Sequence, residues 1–104
     1  MKTGWKLIVA ASGLLLASAA NAVGEQELAQ KSGCLVCHAV DKRVIGPSYK
    51  EVSAKYKGDK GAEAKLIEKI KKGGTGVWGQ VPMPPNFTVK DADIKTLTKW
   101  ILSQ

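Results

Sequence analysis

The sequence predicts an all-α domain of short helices around one long irregular segment, and three observations predict it. Apolar residues recur at helical spacing in separate segments; in the last of these Ile94, Leu97 and Ile101 fall at i, i+3 and i+7. No stretch of five or more residues alternates apolar and polar with the period of a strand. Between the third and fourth helical segments, residues 73–88 have no period at all and hold four glycines and three of the chain's four prolines. There is no internal repeat and no low-complexity tract.

The chain opens outside this domain. Lys2 and Lys6 precede an apolar run of 11 residues, Leu7 to Ala17, followed by the small residues Ser18-Ala19-Ala20-Asn21-Ala22. That order predicts a cleaved signal peptide over residues 1–22, with Ala20-Asn21-Ala22 as the cleavage site. The run is too short for a membrane anchor, which takes about 20 apolar residues. The expected product is a single domain, Val23 to Gln104, of 82 residues with one methionine, Met83. Loss of two lysines and no acidic residue lowers the net charge from +7 to +5. Export implies an oxidising compartment, where a bare pair of cysteines tends to form a disulfide. It also excludes nucleic acid as a partner. No second long apolar run follows, so no stable membrane insertion is expected. A core of this size is marginal by area, and such chains often recruit a disulfide, a metal or another staple.

Within the domain, Glu25 to Lys31 reads as a short helix, with Leu28 and Ala29 as its apolar positions and Gly33 near its end. Cys34 to Ala39 continues as a helical turn. Val44-Ile45-Gly46-Pro47 is a break, because proline disfavours helix in the residue before it. Tyr49 to Tyr56 forms a second helix, with Val52 and Tyr56 four apart, and 57–61 is a polar turn. Ala62 to Lys72 is a clearer helix, on Leu66, Ile67 and Ile70. Residues 73–88 form a loop too long to be structureless in a compact domain without a task. Asp91 to Leu102 is the strongest helix; Asp91 and Asp93 suit its positive end, and Thr88 and Lys90 are both candidate boundaries.

Both cysteines and the only histidine of the chain lie in Cys34-Leu35-Val36-Cys37-His38. Three chemistries fit the bare pattern: a redox disulfide, part of a zinc site, or the covalent seat of a haem. A thioredoxin-like pair sits beside a βαβ unit, which a chain without strands cannot build. Structural zinc takes four ligands, and three are on offer here unless a carboxylate joins. The haem reading fits the spacing: on a helical turn residues i, i+3 and i+4 share a face. Two thiols can then add to vinyl groups on one porphyrin edge while the imidazole turns to the iron. It also gives the long loop its task. Met83 is the one remaining soft ligand, and His/Met ligation raises the potential of cytochrome c iron. Pro82, Pro84 and Pro85 fix φ on both sides of it, a poor setting for a residue that merely fills a core.

With Ile45-Gly46-Pro47, Val77-Trp78-Gly79 and Met83-Pro84-Pro85-Asn86 added to the Cys-x-x-Cys-His turn, the chain resembles the small bacterial class I cytochromes c. The cytochrome c-551 (c8) group is the most similar. The resemblance covers the whole expected product. It implies about four short helices wrapped around one covalently bound haem c. It also implies thioethers from Cys34 and Cys37, a proximal His38, and Met83 on the opposite side of the iron. The Pro47 carbonyl would take a hydrogen bond from His38. Trp78 would lie along the haem and donate its indole N–H to a propionate, and Asn86 would orient or hydrogen-bond the methionine sulfur. Some relatives carry an arginine on the helix before the loop, where this chain has Lys69, a point charge without the planar fork. The stretch from Asn86 to the last helix also looks one residue longer than in some relatives.

An iron held on both sides by protein has no open place for a substrate but can still change charge by one electron. The expectation is therefore a monomeric periplasmic electron carrier, not an enzyme. A membrane cytochrome complex would be its donor, and a reductase, oxidase or peroxidase its acceptor in a respiratory chain. Lys31, Lys42, Arg43, Lys50, Lys55 and Lys57 lie in segments that could ring the haem edge and face acidic partners. Two other classes remain open on the residues alone: a haem enzyme or gas sensor whose Met83 leaves, and a haem-free thiol–disulfide oxidoreductase.

Overall fold

The structure, a computed structural model, describes residues 24–104. The expected signal peptide, 1–22, lies outside the described residues. Those residues form four helices, with no named strand among them. Helix α1 covers 24–31 and ends where Gly33 takes a left-handed φ of 81°. A short 3-10 turn, Cys34–Val36, follows. Helix α2 is Tyr49–Lys55, α3 Ala62–Lys72 and α4 Asp91–Leu102.

These bounds match the sequence closely, with one correction. The helical turn expected to run to Ala39 ends sooner. The amides of Cys37 and His38 both bond the Cys34 carbonyl, at 3.3 and 3.0 Å, and there the turn stops. His38 then pairs with Arg43 in an isolated antiparallel bridge. The chain doubles back because the Cys37 carbonyl accepts from the amides of both Ile45 and Gly46. Sequence spacing signals a turn but not the tertiary pull that ends it.

Helix α2 starts on a capping box that the sequence carries as Ser48-Tyr49-Lys50-Glu51. The Ser48 hydroxyl accepts from the Glu51 amide at 3.0 Å, and the Ser48 amide donates back to the Glu51 carboxylate at 3.3 Å. Arg43 bonds the same carboxylate at 2.9 Å. The Arg43 guanidinium, with the Ser48 amide, holds the Glu51 carboxyl below its usual range. The loop after the cysteine turn is thereby tied to α2. Helix α3 starts after an Asx turn, in which Asp59 accepts from the Gly61 amide at 2.8 Å and pairs with Lys65 at 2.8 Å. At α4 the boundary falls at Lys90, which contributes no side-chain cap, and Asp91 and Asp93 occupy the first turn.

The core is one cluster. Ile94, Leu97, Trp100 and Ile101 of α4 meet Val52 of α2, Leu66 and Ile70 of α3, and Ala29 of α1. Helix α4 is thus the central element, and α2 and α3 both pack on it. The Ser53 hydroxyl donates to the Leu102 carbonyl at 2.8 Å, locking the end of α2 to that of α4. One core position is at odds with its surroundings. Thr98 is fully buried and its hydroxyl has no hydrogen-bond partner among the described residues. An unpaired buried hydroxyl costs about 1–3 kcal/mol. Thr98→Val should therefore raise stability by about 1 kcal/mol. In urea titration the midpoint should rise with no change of slope.

Candidate functional site

The helices leave a crevice open to the surface, of about 1020 Å³ including its mouth. Its walls come from three sources. Val52, Leu66, Ile70 and Ile101 present the apolar core. The cysteine turn and the Gly46-Pro47 break supply a second wall, and residues 74–84 of the long loop a third. A smaller recess of about 460 Å³ adjoins it, lined by Cys34 and Asn86. The two spaces share Cys37, His38, Tyr49, Ile70, Met83 and Pro84. Every site residue named from the sequence therefore borders one or other of these two spaces. Cys37, His38, Pro47, Trp78 and Met83 line the crevice, and Cys34 and Asn86 line the recess.

His38 is held on three sides. Its Nδ1–H donates to the Pro47 carbonyl at 2.8 Å. A carbonyl can only accept, so Nδ1 carries the proton and the Nε2 lone pair is left for a metal. The Tyr49 ring stacks on the imidazole, with centroids 5.3 Å apart and planes 23° apart. Tyr49 in turn meets Trp100 of α4 edge-on at 5.4 Å. On another side Gly46 comes so close that a Cβ there would stand 2.6 Å from His38 Cε1. Gly46→Ala should displace the ring and lengthen the bond to Pro47. A shifted His38 Nδ1 proton resonance would report it, and an unmoved one would refute the close approach.

Burial pushes the Cys34 thiol above its ordinary value, an effect partly offset by a hydrogen bond with Tyr49. A redox-active cysteine needs the opposite, a thiolate favoured by its surroundings. The zinc alternative fares no better: among the described residues no three His, Cys, Asp or Glu side chains gather into a metal site. What the space does offer is a long apolar wall, two thiols and an imidazole at one side, and a thioether in the loop opposite in sequence. Those residues fit a flat apolar macrocycle with a metal at its centre.

The remaining residues take more specific places. Trp78 is half-buried at the crevice wall, with Lys55 Nζ 5.6 Å from its ring centroid. Asn86 is committed to the end of α3: its side-chain amide donates to the Ile70 carbonyl at 2.9 Å and to Pro84 at 3.4 Å. Lys69 lines the crevice. Of the six basic residues expected around its edge, only Arg43 is part of the lining, and it is paired with Glu51. Lys31, Lys42, Lys50, Lys55 and Lys57 are exposed. Sequence reasoning missed Tyr49 and Gly46 as supports of His38. A glycine before the Pro47 carbonyl and an aromatic two residues after it were the available signals.

A four-helix domain whose Cys-x-x-Cys-His turn and methionine loop border one apolar crevice is a c-type haem protein. Comparison with known proteins makes this specific. The family model described as cytochrome c matches residues 25–104, and the chain belongs to the cytochrome c family. It is 49% identical to cytochrome c-551 of Pseudomonas aeruginosa, over 100% of this chain and 99% of that one. It is 56% identical to cytochrome c-551 of Allochromatium vinosum, over 81% and 89%. The crystal structure of wild-type Nitrosomonas europaea cytochrome c552 superposes with a TM-score of 0.73 at 50% identity, covering 75% and 96%. The expected small class I cytochrome fold is thus borne out. The cofactor is haem c with its iron, and the protein is a small electron carrier, not an enzyme.

Proposed function

We propose that this chain is a periplasmic one-electron carrier with His38 and Met83 as axial ligands and Cys34 and Cys37 as thioether anchors. The observation that carries the ligand set is the Nδ1 bond to Pro47. It fixes the tautomer that can bind iron, in a space that Met83 also borders. Bound haem supplies a one-electron couple at its iron. The protein's own residues set the conditions for it. Pro47 and Tyr49 orient the imidazole, and the Pro47 carbonyl raises its basicity. Val52, Leu66, Ile70 and Ile101 exclude water from one side. Asn86 orients the methionine by fastening its loop to α3. Trp78, with Lys69 also lining the crevice, is suited to a propionate.

The rim suits brief encounters. Val36, Ile45, Val77 and Val81 are 71%, 55%, 46% and 66% exposed, and the last three border the crevice. A small apolar rim within a basic surface favours transient docking steered by charge, as electron-transfer encounters require. The proposed partners are a membrane cytochrome complex as donor and a reductase, oxidase or peroxidase as acceptor. The proposed state is a monomer. No helix among the described residues is long and apolar enough to cross a membrane.

The test is to express the full chain in a bacterium with its own haem-attachment machinery and purify it from the periplasm. A red protein beginning at Val23 is expected, low-spin, with a ferrous form that resists carbon monoxide. The reduced protein should pass electrons to an acceptor with an acidic face, and more slowly as salt rises. Ready carbon monoxide binding would instead make it a gas-binding haem protein. A colourless product with its thiols paired would refute the carrier altogether.

A further inference from the structure

We infer that Gly73, with its neighbour Gly74, is the positioning residue for Met83, and that the junction of α3 with the long loop sets where the methionine stands. The inference rests on the proposal that Met83 is an axial ligand. Residues 82–86 read Pro-Met-Pro-Pro-Asn, so only Met83 and Asn86 keep an amide hydrogen. Both are bonded at the same place. The Met83 amide donates to the Gly74 carbonyl at 2.9 Å, and the Gly74 amide donates to the Met83 carbonyl at 3.0 Å. The Asn86 amide donates to the Ile70 carbonyl at 3.1 Å, beside its own side-chain bond of 2.9 Å. Four hydrogen bonds hold this segment, two to Ile70 in the last turn of α3 and two to Gly74 just beyond it.

Gly73 is where the two pieces touch. It ends α3 with φ 69°, ψ −161°, and its amide still bonds the Lys69 carbonyl at 2.8 Å. A Cβ there would run into the Met83 carbonyl oxygen, and would stand 2.8 Å from Pro85 N and 2.9 Å from the Pro84 carbonyl carbon. All three are backbone atoms, so no side-chain rotation relieves the overlap. The methionine backbone itself must move. Gly58, in the polar turn 57–61 and outside the crevice lining, provides the contrast: its φ is 81°, yet a Cβ there meets nothing within 4 Å among the described residues.

The experiment compares Gly73→Ala with Gly58→Ala in the haem-loaded protein. Both carry the cost of a side chain at positive φ, but only the first pushes on Met83. Cyanide can reach ferric iron only when its sixth position opens, so its binding rate reads the hold of the methionine. Gly73→Ala should bind cyanide roughly tenfold or more faster than Gly58→Ala, given the usual cost of forcing the Met83 backbone out of its place. It should also lose intensity in the sulfur-to-iron charge-transfer band. Equal rates and equal bands in the two variants would overturn the inference. Should Gly73→Ala not fold, amide exchange in the unmutated protein decides. Gly74 and Met83 should be protected to the same degree, and a Met83 amide exchanging like free peptide refutes the clamp. Met83→Ala separates the two levels: an unchanged charge-transfer band there rejects the ligand assignment itself, and with it the clamp.

Discussion

Met83→Ala is expected to abolish the sulfur-to-iron charge-transfer band, open the iron to small ligands and lower the midpoint potential. The axial ligands of haem set its potential over a range of about 0.8 V, so a fall of about 0.1 V or more is expected from losing this one. Two physical reasons make the effect large. A thioether is a weak, neutral donor that favours the ferrous state, and water is the natural replacement. No second imidazole or thioether can take its place, because the chain has a single histidine and the methionine loop contains no other sulfur. The fold should survive, since Met83 is only partly buried and packs against the main cluster from its edge. Redox titration and the visible spectrum check the result together. An unchanged potential would remove Met83 from the site while leaving the covalent haem in place.

Replacing both thiols, Cys34→Ala with Cys37→Ala, is expected to have the largest effect on stability. A domain the size of residues 24–104 buries a small core and has little reserve. Here part of that core is also the crevice wall: Val52, Leu66, Ile70 and Ile101 belong to both. Full burial of one such side chain is worth about 1.5–3 kcal/mol. If these four lose half of that when the covalent anchor goes and the haem departs, several kcal/mol disappear from a total of about 5–15 kcal/mol. The double variant should therefore carry no haem through a denaturing gel and should lose most of its cooperative unfolding at 25 °C. Circular dichroism across a urea series checks the second point. A stably folded, colourless variant would show that the helices need no cofactor to hold them.

Much of the fold was legible because its signals are local. The face of α4 was visible as Ile94, Leu97 and Ile101, with Trp100 beside them, and all four are buried. Helix α3 was bounded by the spacing of Leu66 and Ile70 and by the glycines after Lys72. The capping box of α2 stands in the sequence as Ser48 and Glu51, although the third partner, Arg43, does not: an ion pair across a doubled-back loop leaves no local trace. The orphaned hydroxyl of Thr98 was likewise invisible, because a threonine in a helix shows which side it faces only once the helices are packed.

The site divides the same way. The sequence by itself determined the chemistry: two thiols and an imidazole at i, i+3 and i+4, and one methionine among prolines. Each follows from residue type and short spacing, which the backbone enforces wherever the segment goes. Only the tertiary structure decided how those groups are held. It stacked Tyr49 on His38, brought Gly46 against the imidazole, turned Asn86 onto Ile70 and clamped Met83 to the end of α3. Those contacts depend on where helices from distant parts of the chain come to rest. Packing fixes that, because the apolar faces of all four helices have to be buried against one another at once.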